Sequence, residues 1–101
     1  LANDADPNVA DAQGRTPLHF VALTNNTNVL DLLKEAGANV DAQDAEGNTP
    51  CHNAAIFQKI NALSWLSKSG ANMNVLNKKG LAPLHEAILN SRILSYAGLP
   101  R

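Results

Sequence analysis

The three histidines and the single cysteine are the side chains with which this chain of 101 residues could bind a metal ion or act as a nucleophile. His19, His52 and His85 follow one another at a constant step of 33 residues, and Cys51 directly precedes the second histidine. Imidazole nitrogens and thiolates are common zinc ligands, with bond lengths near ~2 Å. Equivalent positions on neighbouring packed helices, however, lie about 8–10 Å apart. The spacing therefore argues against a shared metal ion and favours a structural role for each histidine.

Catalysis would require a nucleophile, a base and an orienting group within reach of one another, and no such set occurs at a recognisable spacing. Asp11 and Asp44 are also one 33-residue step apart, so we interpret them as hydrogen-bond acceptors in equivalent loops. Cys51 stands at the position of Leu18 and Leu84, which predicts a buried thiol. The glycines follow turn positions and form no phosphate-binding loop. We therefore expect no catalysis, no cofactor and no bound metal.

The elements that position these residues form an internal repeat. Residues 11–19 have the sequence DAQGRTPLH, which returns as DAEGNTPCH at 44–52 and, weakened, as NKKGLAPLH at 77–85. A second marker, GAN, occurs at 37–39 and again at 70–72. All three histidines, three of the five prolines and five of the six glycines keep this register. The chain thus uses these residue types for a repeated scaffold.

Each repeat predicts two helices followed by an extended hairpin. Thr16 and Thr49 can accept hydrogen bonds from the first turn of a first helix, and the proline after each of them suits the first helical position. Gly37 and Gly70 are expected to end the second helices in a left-handed conformation. The residues predicted to face inward are Leu18, Val21, Ala22, Val29, Leu30, Leu32, Leu33, Cys51, Ala54, Ala55, Ala62, Leu63, Trp65, Leu66, Leu84, Ala87 and Ile88.

One helix pair of this size cannot cover its own apolar face, so the copies must stack. The sequence resembles the ankyrin repeat family, which has a period of 33 residues and the signature T-P-L-H-x-A. Residues 16–22 (TPLHFVA) and 49–55 (TPCHNAA) follow that signature, with Val21 and Cys51 where the family prefers alanine and leucine. The resemblance implies an all-α repeat solenoid in which stacked helix-turn-helix repeats are joined by β-hairpin loops. It also implies a protein-interaction module with no catalysis of its own.

The resemblance divides the chain into parts of one ankyrin-repeat domain spanning residues 1–101. Residues 1–10 are expected to end a preceding repeat. Two complete repeats are expected at 11–43 and 44–76, and a partial or divergent C-terminal repeat at 77–101.

The third copy departs from the pattern of the first two. Ala82 replaces the capping threonine, a loss of about 1 kcal/mol at that helix start. Ser95, Gly98 and Pro100 interrupt its second helix. We therefore expect the chain to be part of a longer array, with ends less stable than its centre.

In the proteins that the sequence resembles, partners bind the concave side made by hairpin tips and the exposed faces of the first helices. The matching residues here are Gln13, Arg15, Leu23, Thr24, Glu46, Asn48, Ile56, Phe57, Lys78, Lys79, Leu81, Leu89 and Asn90. Leu23, Ile56 and Leu89 share one apolar register, where they either contact a partner or pack between adjacent helices. Phe57 is the favoured contact residue, because other copies have polar residues at its register and an exposed aromatic group is a candidate hot spot.

Composition narrows the class of partner. The formal net charge of −1 gives no basic excess for binding nucleic acid or an anionic membrane surface, and no apolar run is long enough to span a bilayer. A single cysteine excludes an internal disulfide and favours an intracellular compartment, cytoplasmic or nuclear. The expected partner is a protein of unknown identity. Alternatively, the segment is a structural spacer or targeting segment of a larger multidomain protein whose activity lies outside these residues.

Overall fold

A computed structural model describes residues 6–90, and this range contains five helices and no strand. The helices are α1 (Pro17–Val21), α2 (Thr27–Glu35), α3 (Pro50–Ile56), α4 (Ile60–Lys68) and α5 (Pro83–Leu89). The first helices form one row, in which α3 lies between α1 and α5, and the second helices α2 and α4 pack side by side in another. The predicted all-α repeat architecture is therefore confirmed. The interruption predicted after residue 92 lies outside the described residues.

The first helices begin where the threonine-proline pairs predict. Thr16 and Thr49 have extended backbones, and Thr49 Oγ1 accepts a hydrogen bond from His52 N at 3.3 Å. Ala82 has the same extended conformation before α5 but has no hydroxyl group. Proline and local backbone geometry are thus sufficient to begin α5 without a side-chain cap.

The connections between first and second helices pass through a left-handed residue. Asn25 has a φ of 58° and Gln58 a φ of 57°, a conformation that costs about 1–2 kcal/mol for residues with a Cβ, and asparagine adopts it more readily than glutamine. Asn25 Oδ1 also accepts a hydrogen bond from Ala62 N at 3.2 Å, which ties the first connection to the start of α4. The side chain therefore contributes to stacking as well as to the turn.

Three short loops, which we call the first (residues 11–15), second (44–48) and third (77–81) hairpins, precede the first helices. Each is closed by a bond from its first N–H to its fifth carbonyl, at 3.0, 2.9 and 2.9 Å respectively. Neighbouring hairpins are joined by bonds from Ala45 N to Gln13 O (2.8 Å) and from Lys78 N to Glu46 O (3.0 Å). The predicted hairpin turns form, but one bond per neighbouring pair is too short a ladder to make a strand within residues 6–90.

The core lies between the two rows of helices. Its buried residues are Leu18, Ala22, Leu30, Leu33, Cys51, Ala54, Ala62, Leu66 and Ala71. Val21, Val29, Leu63 and Trp65 pack against it while partly exposed. Because four of the nine buried side chains are alanine, neighbouring helices can approach closely, which agrees with a chain that has only four aromatic residues.

Three residues predicted to face inward are exposed. Leu32 is 55% exposed, because the buried face of α2 follows Leu30 and Leu33, and residue 32 lies about 200° around the helix from residue 30. Leu84 and Ile88 of α5 are 69% and 52% exposed. In the earlier copies α2 and α4 pack against the first helix, and within residues 6–90 no second helix follows α5. The inward prediction is therefore wrong for these three positions.

Candidate functional site

The buried histidines join each first helix to the hairpin that follows it. His52 Nδ1 accepts a hydrogen bond from Thr49 N at 3.1 Å, and its Nε2 lies 2.8 Å from Leu81 O. Since Nδ1 accepts, we assign the proton to Nε2, which donates to the carbonyl. His19 makes the equivalent bond to Asn48 O at 2.8 Å. These two histidines are thus structural links with both ring nitrogens in use.

His85 differs from the other two histidines because its side chain is exposed. Its Nδ1 accepts from Ala82 N at 3.0 Å, but its Nε2 has no hydrogen-bond partner within residues 6–90. In the same range no group of three or more His, Cys, Asp or Glu residues is arranged to hold a metal ion. The three histidines share one hydrogen bond, in which Nδ1 accepts from the backbone N–H of the residue three positions earlier.

Cys51 is fully buried, as its register predicts. Burial, together with the carboxylate of Asp41, raises the pKa of the Cys51 thiol to about 12. Its Sγ lies 3.5 Å from Met73 Sδ. The thiolate is the nucleophilic form of cysteine, so this thiol is suited to packing and not to covalent catalysis.

The hairpin aspartates are structural acceptors. Asp11 Oδ1 accepts from the backbone N–H groups of Gln13 and Arg15, both at 2.9 Å, and its Oδ2 pairs with Arg15 Nε at 2.9 Å. These contacts, led by the backbone bond from Arg15, lower the pKa of Asp11. Asp44 Oδ1 accepts two equivalent backbone bonds at 2.9 Å each in the second hairpin. This agrees with their interpretation as repeated loop acceptors.

The third hairpin uses Asn77 where the other two use aspartate. Asn77 Oδ1 accepts the same two backbone bonds, from Lys79 and Leu81, and its Nδ2 donates to Glu86 Oε2 at 2.8 Å. Glu86 is 2% exposed, and Lys79 Nζ lies 3.7 Å from its carboxylate. The Lys79 side chain, which is 65% exposed, is therefore paired with a buried carboxylate of the same chain. Sequence reasoning missed this network, although Asn at an aspartate register with a Glu nine residues later is a signal for it.

A groove of about 320 Å³ lies among the first hairpin, the second hairpin and the helices α1 and α3. We call it the hairpin groove. Six of the predicted partner-binding residues line it, namely Gln13, Arg15, Leu23, Glu46, Asn48 and Phe57. Two groove residues that were not predicted, Phe20 and Asn53, share the register of Glu86. Phe20 is 46% and Phe57 60% exposed, and the Arg15 guanidinium lies 5.0 Å from the centroid of the Phe20 ring.

The other predicted partner-binding residues lie outside the hairpin groove. They are Thr24, Ile56, Lys78, Lys79, Leu81, Leu89 and Asn90. Ile56 and Leu81 are half-buried, and the carbonyl oxygen of Leu81 accepts a hydrogen bond from His52 Nε2. Asn90 O accepts from Gln58 Nε2 at 2.9 Å, so this residue contributes to the packing of α5. The predicted set therefore divides into six groove residues and seven residues distributed over the rest of the first-helix side.

A family profile described as "Ankyrin repeats (3 copies)" matches residues 1–77 and, in a second placement, residues 33–97. The chain belongs to the ankyrin repeat family. Ankyrin repeats generally serve as protein-interaction modules and are generally not catalytic. In agreement with a stack of short helices, no helix of this ankyrin-repeat chain within residues 6–90 has the length and apolar character needed to cross a bilayer.

Two curated proteins resemble part of this ankyrin-repeat chain. The "Transient receptor potential channel pyrexia" of Drosophila melanogaster is 50% identical over 36 residues, which cover 36% of the chain and 4% of that protein. The "Protein fem-1 homolog C" of Xenopus laevis is 45% identical over 38 residues, which cover 38% of the chain and 6% of that protein. The matched segment is thus a small fraction of either relative.

Proposed function

We propose that this ankyrin-repeat segment binds a protein partner through the hairpin groove and has no catalytic activity of its own. The observation that carries the proposal is the pair Phe20 and Phe57, two half-exposed aromatic side chains that line one groove with a polar rim. Buried aromatic anchors surrounded by polar contacts dominate the binding energy of many protein interfaces. This arrangement supports recognition of another protein.

The polar rim of the hairpin groove is ordered before any partner binds. Arg15 Nε is paired with Asp11, and another nitrogen of the same guanidinium donates to Gln13 Oε1 at 3.1 Å. Immobilising a long side chain on binding costs about 0.5–1.5 kcal/mol. Because Arg15 is already held, that cost is reduced for a partner that contacts it.

The two hairpins that border the groove are also joined to each other. Ala45 N donates to Gln13 O at 2.8 Å, and His19 connects α1 to Asn48 in the second hairpin. A site with walls held by hydrogen bonds needs little rearrangement to accept a partner. We therefore expect the free and bound forms to have the same backbone at the hairpin groove.

Short random peptides displayed on phage provide the test, with the 101-residue chain as target. Peptides recovered from the selection are expected to bind at least ~10-fold more weakly when Phe57→Ala or Phe20→Ala is introduced, as for aromatic hot spots. Ile60→Ala is the matched control, because Ile60 is 66% exposed on α4 and lies outside the groove. Circular dichroism is expected to be unchanged in all three variants.

The alternative function makes a different prediction in the same experiment. A spacer or targeting segment is not expected to bind peptides through Phe20 and Phe57. Recovery of no peptide, or equal affinity for the wild type and both phenylalanine variants, would contradict recognition by the hairpin groove and favour a spacer.

An intracellular location, cytoplasmic or nuclear, remains a prediction. It is supported by the use of one cysteine as a buried apolar residue. Imaging of the fluorescently tagged full-length protein would test it directly.

A further inference from the structure

We infer that the hairpin groove takes a partner segment in which a lysine or arginine lies next to an apolar side chain. The apolar side chain contacts Phe20 and Phe57, and the cation contacts Glu46. This inference rests on the proposed function, because it specifies the chemistry of the partner for the same groove. It is carried by the balance of charge and hydrogen-bonding capacity among the groove residues.

The charge of the groove is negative once internal ion pairs are considered. Arg15 is the one cationic side chain that lines it, and this cation is already paired with Asp11 at 2.9 Å. Asp44 and Glu46 in the second hairpin remain without a cation in contact within residues 6–90. A cation on the partner would therefore meet two uncompensated carboxylates and one neutralised arginine.

Glu46 is the carboxylate best placed to receive that cation. Asp44 already accepts two backbone bonds within its own hairpin. The Glu46 carboxylate is exposed, and in the part of the chain that the structure describes it makes neither a hydrogen bond nor an ion pair. Only the backbone of Glu46 is engaged: its N–H donates to Asp44 Oδ1, and its carbonyl oxygen accepts from Lys78 N.

The neutral polar groups of the groove add an acceptor. Asn53 Nδ2 donates to His19 O at 3.4 Å, and its Oδ1 has no partner within residues 6–90. Ammonium and guanidinium groups donate hydrogen bonds and accept none. A lysine or arginine on the partner can therefore use the Glu46 carboxylate and the Asn53 side-chain oxygen, whereas the two carboxylates of the second hairpin would repel an acidic side chain.

The aromatic side chains favour an apolar neighbour beside the cation. Phe20 already has the Arg15 guanidinium 5.0 Å from its ring centroid. No such cation lies over Phe57 within the described range, and this ring is 60% exposed. An apolar side chain gains from contact with both rings, and the methylene stem or charge of an adjacent lysine or arginine can contact Phe57.

The third hairpin contains two lysines, whereas the second hairpin contains two acidic residues. Lys78 N donates a hydrogen bond to Glu46 O, which joins the third hairpin to the second. The Lys78 side chain makes no ion pair within residues 6–90, whereas Lys79 Nζ lies 3.7 Å from Glu86 Oε2. A partner segment with a basic residue at Glu46 and an acidic residue towards Lys78 would match both hairpins. Such a dipolar pattern fixes the direction in which the segment lies.

The experiment uses the peptides selected on the 101-residue chain and one synthetic peptide taken from the enriched set. We expect an apolar residue adjacent to lysine or arginine to be enriched. Glu46→Lys is expected to weaken binding of the synthetic peptide by ~10-fold or more. Replacing the peptide's lysine or arginine by glutamate is expected to restore its affinity for that variant. Glu35→Lys is the matched control, because it makes the same charge change at an exposed position of α2 outside the groove.

The outcomes separate this inference from the proposed function. If the enriched peptides lose affinity on Phe57→Ala but are uncharged or acidic, and Glu46→Lys has no more effect than Glu35→Lys, the groove binds protein and the cationic preference is wrong. If no peptide is enriched, or if all bind Phe57→Ala as well as wild type, the proposed function fails and this inference fails with it.

Discussion

His52 joins two elements of the stack through both nitrogens of its ring. It connects the start of α3, through Thr49, to the third hairpin, through Leu81. Its imidazole is fully buried, so removing it would leave the buried Thr49 N–H without this acceptor and would take from Leu81 O, which still accepts from Asn77 N, its second hydrogen bond. A buried N–H left without a partner costs about 1–3 kcal/mol, and the loss of the bond to Leu81 O adds about 0.5–1.5 kcal/mol.

Replacement of the two histidines His52 and His85 by alanine is therefore expected to have unequal effects. His52→Ala should lower the free energy of unfolding by about 2–4 kcal/mol, since it loses bonds from both ring nitrogens. His85→Ala should lower it by about 1 kcal/mol or less, because this exposed ring makes one bond, to Ala82 N. Urea unfolding followed by the fluorescence of Trp65, the one tryptophan, measures both. Equal losses would show that the link to the following hairpin contributes nothing.

Cys51 leads to a prediction about pH. Its pKa of about 12 in the folded protein lies above the value of about 8.5 for an unfolded thiol. The native state therefore favours the protonated thiol, and this contribution to stability is complete below about pH 8.5 and is lost as the pH rises towards 12. At about pH 8.5, iodoacetamide is expected to alkylate the urea-unfolded chain rapidly and the native chain very slowly. Comparable rates in the two states would contradict burial of the thiol.

At the residue scale, sequence register predicted the buried and hydrogen-bonded groups well. The buried Cys51 and the acceptor role of Asp11 both follow from their place in the repeat. The exposure of Leu32 did not follow, because every apolar residue of α2 was assigned to its inner face. The exposure of Leu84 did not follow, because a repeat assigns the same environment to every copy. Which copy has a neighbour packed against it is a property of the assembled stack.

Neighbouring hairpins approach each other closely at a glycine. Gly47 has a φ of +79°, and a Cβ on it would lie 2.9 Å from Lys78 N and 3.1 Å from Asn77 Cα. Gly80 has a φ of +78°, but a Cβ there would meet no atom within 4 Å. The two glycines thus share the same backbone conformation and differ in how closely a neighbouring hairpin approaches.

Alanine at each of these positions separates backbone strain from packing between hairpins. Gly80→Ala should lower the free energy of unfolding by about 1 kcal/mol, the cost of a left-handed residue with a Cβ. Gly47→Ala carries that same cost and must also push the third hairpin away, so it should lower the free energy of unfolding by about 2–4 kcal/mol. Urea unfolding gives both values. If the two variants are equally stable, close hairpin stacking is not a source of stability.

A substitution at the start of α5 is expected to stabilise that helix. Ala82→Thr restores the hydroxyl group that Thr49 provides at the start of α3, and a side-chain cap contributes about 1 kcal/mol. We expect hydrogen exchange of the Glu86 and Asn90 amides to become roughly fivefold slower, the factor that corresponds to about 1 kcal/mol. Thr49→Ala is the converse control and should destabilise α3. Unchanged exchange in Ala82→Thr would show that proline alone sets this helix start.

At the element scale, the positions of the helices were predictable from the sequence. That the hairpins form no strand within residues 6–90 was not predictable. Threonine-proline pairs mark the starts of α1 and α3, and the glycines Gly37 and Gly70 follow α2 and α4 with φ values of 96° and 87°. Strands were expected in the hairpins because their residues suit extended chain. They do not form within residues 6–90, since strand assignment depends on how many bonds a neighbouring copy supplies.

At the scale of the whole molecule, the stack creates a groove that no single repeat contains. Its lining comes from two hairpins and two first helices, including Phe20 from α1 and Phe57 after α3. Six of its lining residues belong to the set that the resemblance to ankyrin repeats predicts for partner contact, and that contact stays a prediction. Phe20 was missed although Asn53 and Glu86 occupy its register in the other copies, and polar residues at the same register are the signal that favoured Phe57.

The most direct test of recognition through the hairpin groove is a map of backbone amide chemical shifts for the 101-residue chain. Spectra are recorded before and after adding a peptide selected on that chain. The account predicts that shift changes concentrate in residues 11–15 and 44–48 and at Phe20 and Phe57, with little change in α2 and α4. Changes confined to α2 and α4, with the two hairpins unaffected, would contradict it.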